Sequence, residues 1–234
     1  RDKPVLLILT TRERPAWLDP EPHVTQITLD RLSAAEAGQL LADLLPEVKA
    51  APLPRAAVSL IHQRTNGVPL YLEELSRWLA GAQATRQAGW MDLLSSARIS
   101  SFENLLSARM GTSGLVKTVA QAASVIGYSF DEELLGAVLP DLPGDRLKAA
   151  IARLVDAQIL VRRRQGAAPR YEFRHAAIQE SLYGALLRKS RTALHRRIYL
   201  AATRGEGGGV PMGPAILADH AERAGLLKEA GGHY

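Results

Sequence analysis

Cysteine is missing from all 234 residues, which removes disulfides and thiolate metal sites from the available chemistry. Aromatic residues are scarce at 5%, so a core has to be assembled from Leu, Ala, Ile and Val. That supply favours helices. No apolar run approaches the roughly 18 residues a membrane-spanning helix needs. The opening residues carry no signal-peptide pattern either, so the expected location is cytoplasmic and no membrane partner is expected. A phosphate-cradling G-x-x-x-x-G-K-[ST] loop is absent. The six histidines, His23, His62, His175, His195, His220 and His233, show no metal-ligand spacing, and no nucleophile motif accompanies them. A stand-alone hydrolase therefore has little support.

What remains is ordinary globular material, 47% hydrophobic and 23% charged, of a length suited to one or two domains. The net charge of +5 and pI near 9.7 admit nucleic acid as a partner. An Arg-rich, Ala-rich composition with few lysines gives the same balance without one. The chain starts at Arg1 and enters "DKPVLLILTTR" directly, and so reads as a piece of something longer.

Residues 5–9 are uninterruptedly apolar, the pattern of a strand buried on both faces of a parallel sheet. Residues 23–29 alternate as a second short strand, and such a pair needs further strands beside it. After Leu32 the pattern turns helical. Ser33 and Glu36 form a capping box ahead of Leu40, Leu41, Leu44 and Leu45. A second helix opens at Pro54 with Ala57, Leu60 and Ile61 inward, and Asn66-Gly67 ends it in left-handed geometry. Pro69 suits the first turn of the next helix, where its missing N–H costs nothing; Leu70, Leu72, Leu75 and Leu79 are its apolar residues. Glu73 and Glu74 fall on adjacent faces and read as exposed solubilising charges rather than a catalytic pair. Residues 82–96 read as a linker with a weak helix.

Four helices are expected near 101–110, 114–126, 131–139 and 144–157, then a β-hairpin in "ILVRRRQGAAPRYEF". That is the order of a winged helix-turn-helix domain. Two more helices follow in "RHAAIQESLYGALL" and "RTALHRRIYLAAT", then the Gly-rich linker "GEGGGVPMGP". The tail "AILADHAERAGLLKEAGGHY" has the look of the start of a helical-hairpin repeat.

Three stretches together, "LLILTTRERP", "RTNGVPLYLEEL" and "YEFRHAAIQESLYGALL" with the following "LHRRI", resemble the signal-transducing (STAND-type) AAA+ ATPases of large bacterial regulators. The nearest likeness is to modules associated with class III adenylate/guanylate cyclase domains, with LuxR-type regulators behind them. "VAQAASVIGYSFDEELL" and "LVDAQILVRR" match that family's winged-helix region. The resemblance implies a mainly α architecture in four parts. Residues 1–32 would be the last strands of a P-loop α/β domain, and 33–96 a helical lid and linker. Residues 97–189 would be a winged-helix domain, and 190–234 a helical extension beginning a TPR-like array. The implied function is a nucleotide-dependent switch for a fused output domain such as a cyclase, with ATP/ADP and Mg bound in the full-length parent. The partners would be the missing P-loop domain and the output domain, with self-association possible.

The resemblance also implies roles. Arg12 would be the sensor arginine that touches the terminal phosphate, with Arg14 next if the register slips. Gly67 and Pro69 match a Gly-x-Pro turn near adenine and ribose. His175 matches the "MHD-type" histidine that faces the ADP phosphates, although Ala176 stands where those relatives carry aspartate. With the P-loop absent, this chain alone should neither hydrolyse ATP nor bind it tightly. The alternative is a DNA-binding winged-helix regulator. Arg162, Arg163 and Arg164, together with Arg188, Lys189, Arg191, Arg196 and Arg197, would then meet phosphates. Its recognition helix "GDRLKAAIARLVDA" offsets Arg146, Lys148 and Arg153 with Asp145 and Asp156 and lacks Asn, Gln and Ser for base edges. DNA is therefore not the expected partner.

Overall fold

A computed structural model of the chain describes residues 5–11, 24–45, 53–86, 94, 101–164, 169–205 and 212–232. Residues 1–31 and 32–234 form two separate units. In the first, the described residues 5–11 and 24–31 have no regular secondary structure. Val5, Leu6 and Leu7 are each 85% exposed, which corrects the expected buried parallel strands. A strand exists only when a neighbour takes its N–H and C=O groups, and no described strand pairs with these residues. The sole described sheet is antiparallel.

The second unit is mainly helical. Helix α1 (Ala34–Leu44) begins with the expected capping box: Ser33 Oγ accepts from the Glu36 N–H at 3.3 Å, while the Ser33 N–H donates to Glu36 Oε2 at 2.8 Å. Ala37 and Leu41 are buried and Leu40 and Leu44 only half-buried. Helix α2 (Arg55–Thr65) buries Ala57 and Ile61 and ends where Asn66 and Gly67 both take positive φ, 50° and 65°. Pro69 is the first residue of α3 (Pro69–Arg86), which runs further than the sequence pattern indicated, five residues into the expected linker. It buries Leu72, Leu75 and Leu79, and Leu70 stays partly exposed.

Gly67 is required twice over. Besides its φ, a Cβ there would lie 2.2 Å from the Leu32 carbonyl oxygen. The close approach comes from the Leu32 N–H, which donates to the Gly67 carbonyl at 2.9 Å. His62 Nε2 donates to the Leu32 carbonyl, also at 2.9 Å.

Helix α4 (Phe102–Met110) is capped by Ser101 and straddles two cores. Leu105 joins the residues of α1, α2 and α3, whereas Leu106 and Met110 join the second cluster. That second core is built by α5 (Gly114–Ile126), β1 (Ser129–Asp131), α6 (Glu132–Val138), α7 (Gly144–Asp156), β2 (Leu160–Arg164), β3 (Pro169–Phe173), α8 (Ala176–Gly184) and α9 (Arg188–Thr203). The strands lie in the order β1-β3-β2, all antiparallel, with Ser129 opposite Glu172 and Leu160 opposite Phe173. Phe130, Tyr171 and Phe173 point inward, and Phe130 stacks on Tyr171 at 5.9 Å. Asp131 ends β1 and caps α6, its Oδ1 accepting from the Leu134 N–H at 2.7 Å.

Two short helices, α10 (Pro214–Arg223) and α11 (Leu227–Gly231), complete the unit, with Ala221 and Ala230 packed on Tyr199 of α9. Most of the expected linker "GEGGGVPMGP", residues 206–211, lies outside the described residues. No helix among the described residues is long and apolar enough to cross a membrane.

Candidate functional site

The feature that departs furthest from an ordinary helical core is a carboxylate on α3. Glu74 has a side chain with no solvent exposure, against the expectation of a solubilising charge. Its position explains why. Helix α3 buries residues 71, 72, 74, 75, 76 and 79, a face too wide for any charge at position 74 to escape. An unpaired carboxylate there would be very costly, and two guanidiniums compensate it. Arg77, one turn on, donates from Nη1 to Glu74 Oε1 at 2.6 Å and from Nη2 to Glu73. One arginine therefore holds both of the adjacent carboxylates. Arg109 of α4, only 6% exposed, pairs through Nη1 with Glu74 Oε2.

Arg109 also donates from Nη2 to the carbonyl of Ala157, the residue that follows α7. It thereby ties α3, α4 and the end of α7 together. Burial, with a contribution from the charge of Arg174, draws its pKa down to about 10. It remains a cation at neutral pH.

His175 stands at the N-cap of α8 in extended geometry (φ −139°, ψ 144°), and its side chain does not cap the helix. Nε2 lies 3.8 Å from Glu74 Oε1 and has no hydrogen-bond partner. Burial lowers the pKa of its imidazole; Glu73 opposes this, while Arg77, Arg174 and Arg109 add to it. The ring is neutral at pH 7. His175 therefore faces the buried carboxylate of α3, at the junction between β3 and α8.

The other sequence-derived candidates divide. Gly67 and Pro69 form the turn that opens the same helix α3, and Gly67 docks on the backbone of Leu32. Arg12 and Arg14 lie outside the described residues. Glu74, Arg77 and Arg109 were missed by sequence reasoning. The one available signal was the position of the Glu73-Glu74 pair between Leu72 and Leu75.

The basic residues of the DNA reading are dispersed. Arg163 Nε donates to Glu172 Oε2 at 2.9 Å, and Arg191 lies over the Tyr183 ring, 5.1 Å from its centroid. Arg162, Arg188, Lys189, Arg196 and Arg197 are exposed, while the side chain of Arg164 lies outside the described set. Lys148 on α7 sits 3.7 Å from Glu132, in a groove also lined by Asp131, Glu133 and Asp156.

Chemically, the Glu74 cluster is a clamp. Its carboxylate is already neutralised on both oxygens, so it is unavailable as a general base or nucleophile. No group of three or more metal-ligating side chains occurs among the described residues. No family model matches the chain. It is 35% identical over 229 residues to an uncharacterized protein of Rhizobium meliloti (strain 1021), an alignment that covers 97% of this chain. The chain spans 22% of the length of that relative.

Proposed function

We propose that this chain is the regulatory part of a STAND-type ATPase, with residues 33–96 as its lid and 97–189 as its winged helix. In this reading it works as an ATP/ADP-dependent switch for an output domain on the same polypeptide. The observation that carries the proposal is the buried Glu74–Arg109 pair facing His175. One charged clamp joins the helix that follows the Gly67–Pro69 turn to the helix and strand-helix junction of the next layer. A nucleotide-sensing histidine can influence a distant output only through such a joint between two packed bodies. The β1-β3-β2 sheet, with helices α4 to α7 ahead of its hairpin, supports the winged-helix assignment. Arg12, Gly67, Pro69 and His175 remain the proposed nucleotide-facing residues.

The chemistry is recognition and coupling, not bond breaking. His175 Nε2 is buried without a hydrogen-bond partner and faces Glu74, so in this reading the histidine links the clamp to the N-terminus of α8, the end of a helix that favours a phosphate. The P-loop that would hold Mg and the phosphates lies outside this sequence. Calorimetry of this chain with ATP·Mg should accordingly show no binding in the low micromolar range. In a longer polypeptide that carries the P-loop domain, His175→Ala should weaken ADP binding about ten- to a hundredfold, the magnitude of one charge-assisted hydrogen bond, and weaken ATP less. An unchanged ADP-to-ATP preference would refute the switch reading. DNA binding is the weaker alternative, because the exposed face of α7 mixes Asp145 and Asp156 with its cations and lies beside the acidic residues of α6.

A further inference from the structure

A second buried polar cluster lies away from Glu74. His195 of α9 and His220 of α10 are each 3% exposed, and their Nδ1 atoms are 2.8 Å apart. His195 Nε2 is 3.1 Å from the Tyr183 hydroxyl of α8. Arg223 Nη1 donates to that same hydroxyl oxygen at 3.2 Å, while its Nε is held by both oxygens of Asp219. His220 also hydrogen-bonds the backbone of Ile126 at the end of α5. Arg191 covers the Tyr183 ring.

These partners dictate where every proton sits. Arg223 donates to the Tyr183 oxygen, which turns the hydroxyl proton toward His195 Nε2. Neutral His195 therefore carries its proton on Nδ1, and neutral His220, whose Nδ1 faces it, carries its own on Nε2. His195 thus donates Nδ1–H to the bare Nδ1 of His220. The relay runs Arg223 to Tyr183 to His195 to His220, and it is complete only when both rings are neutral. One more proton breaks it. On His220 it would set two N–H groups head to head at 2.8 Å; on His195 it would oppose the Tyr183 hydroxyl, which cannot turn its proton toward Arg223.

We propose that the His195–His220 pair is an acid-sensitive latch that holds α10 and α11 against α5, α8 and α9 and releases them when either ring is protonated. The charged neighbours act in both directions. Arg223 and Arg191 resist a positive ring, and Asp219 of α10 favours one but is already engaged by Arg223. Burial is the leading influence on both histidines and draws His195 down to about 4.

Two measurements test the latch on the intact chain. Nitrogen-15 NMR of the histidine side chains at pH 7.5 should find opposite tautomers, Nδ1–H on His195 and Nε2–H on His220. Hydrogen exchange, corrected for intrinsic rates, should show α10 losing protection about thirtyfold more than α5 between pH 7.5 and 5.0. That factor is for His195 alone, moving between about 4 when docked and an ordinary 6.5 when open. The same tautomer on both rings, or α10 and α5 losing protection together, would overturn the proposal.

Discussion

Replacing Glu74 by Gln changes almost no volume but removes the carboxylate that pairs with Arg109. That guanidinium is 6% exposed and, with a pKa of about 10, stays charged. It would keep only the Ala157 carbonyl, and its Nη1 would meet an amide of mixed polarity. Breaking a buried pair from one side costs about 3–5 kcal/mol, because the surviving charge is left uncompensated. Arg77 contributes less, being 23% exposed and still paired with Glu73. With a urea slope of about 2 kcal/mol per molar, the unfolding midpoint should fall by about 1.5–2.5 M. Arg109→Met should also destabilise, though by less, since Glu74 keeps Arg77. The decisive variant is the double one, Glu74→Leu with Arg109→Met, which leaves no unpaired charge in the joint. Equilibrium urea unfolding of the parent, Glu74→Leu, Arg109→Met and the double variant should find the double less destabilised than the sum of the two single losses by at least about 2 kcal/mol. Additivity within about 0.5 kcal/mol would mean that the two side chains do not depend on each other, and the clamp would not exist.

Gly67→Ala should cost about 3 kcal/mol, from left-handed strain of about 1–2 kcal/mol plus displacement of the Leu32 backbone from the new Cβ; thermal melts matching the parent would refute that docking. Ser33→Ala should cost about 1 kcal/mol through the lost cap of α1, read as faster amide exchange in residues 35–37. Stability should fall as pH drops from about 6.5 toward 4. His195 and His220 have lowered pKa values in the folded state, so the unfolded chain binds more protons in that window, at up to about 1.4 kcal/mol per pH unit for each ring. Urea unfolding at pH 7.5 and 5.0 checks this, and a flat profile would count against both rings being held neutral.

Local signals were legible in the sequence. Ser33 with Glu36, and Asn66-Gly67 ahead of Pro69, are each decided by residues within one turn, and both stand as read. The helices around 101–157 carry full apolar stripes and fall within a residue or two of the expected bounds. Strands fared worse because a strand is defined by its partner. Residues 5–9 have the right composition and no described neighbour, whereas β1, three residues long, is too short for its alternation to signal a strand and exists because β3 lies beside it. The site was illegible for a similar reason. Glu74 next to Glu73 looks like any solvated pair, and the residue that decides its fate, Arg109, is 35 positions away on another helix. His195 and His220, 25 apart, match no ligand spacing, and only the packing of α10 on α9 makes them neighbours.

The strand order has a consequence for biosynthesis. β3 lies between β1 and β2 yet is the last of the three to leave the ribosome. Until residues 169–173 emerge, neither earlier strand has its partner, and Phe130 has neither Tyr171 nor Phe173 against it. A nascent chain stalled in that interval presents two open strand edges and an uncovered aromatic ring, the surfaces that self-associate or recruit chaperones. The time between the emergence of Asp131 and that of Phe173 therefore sets how long each new molecule is at risk.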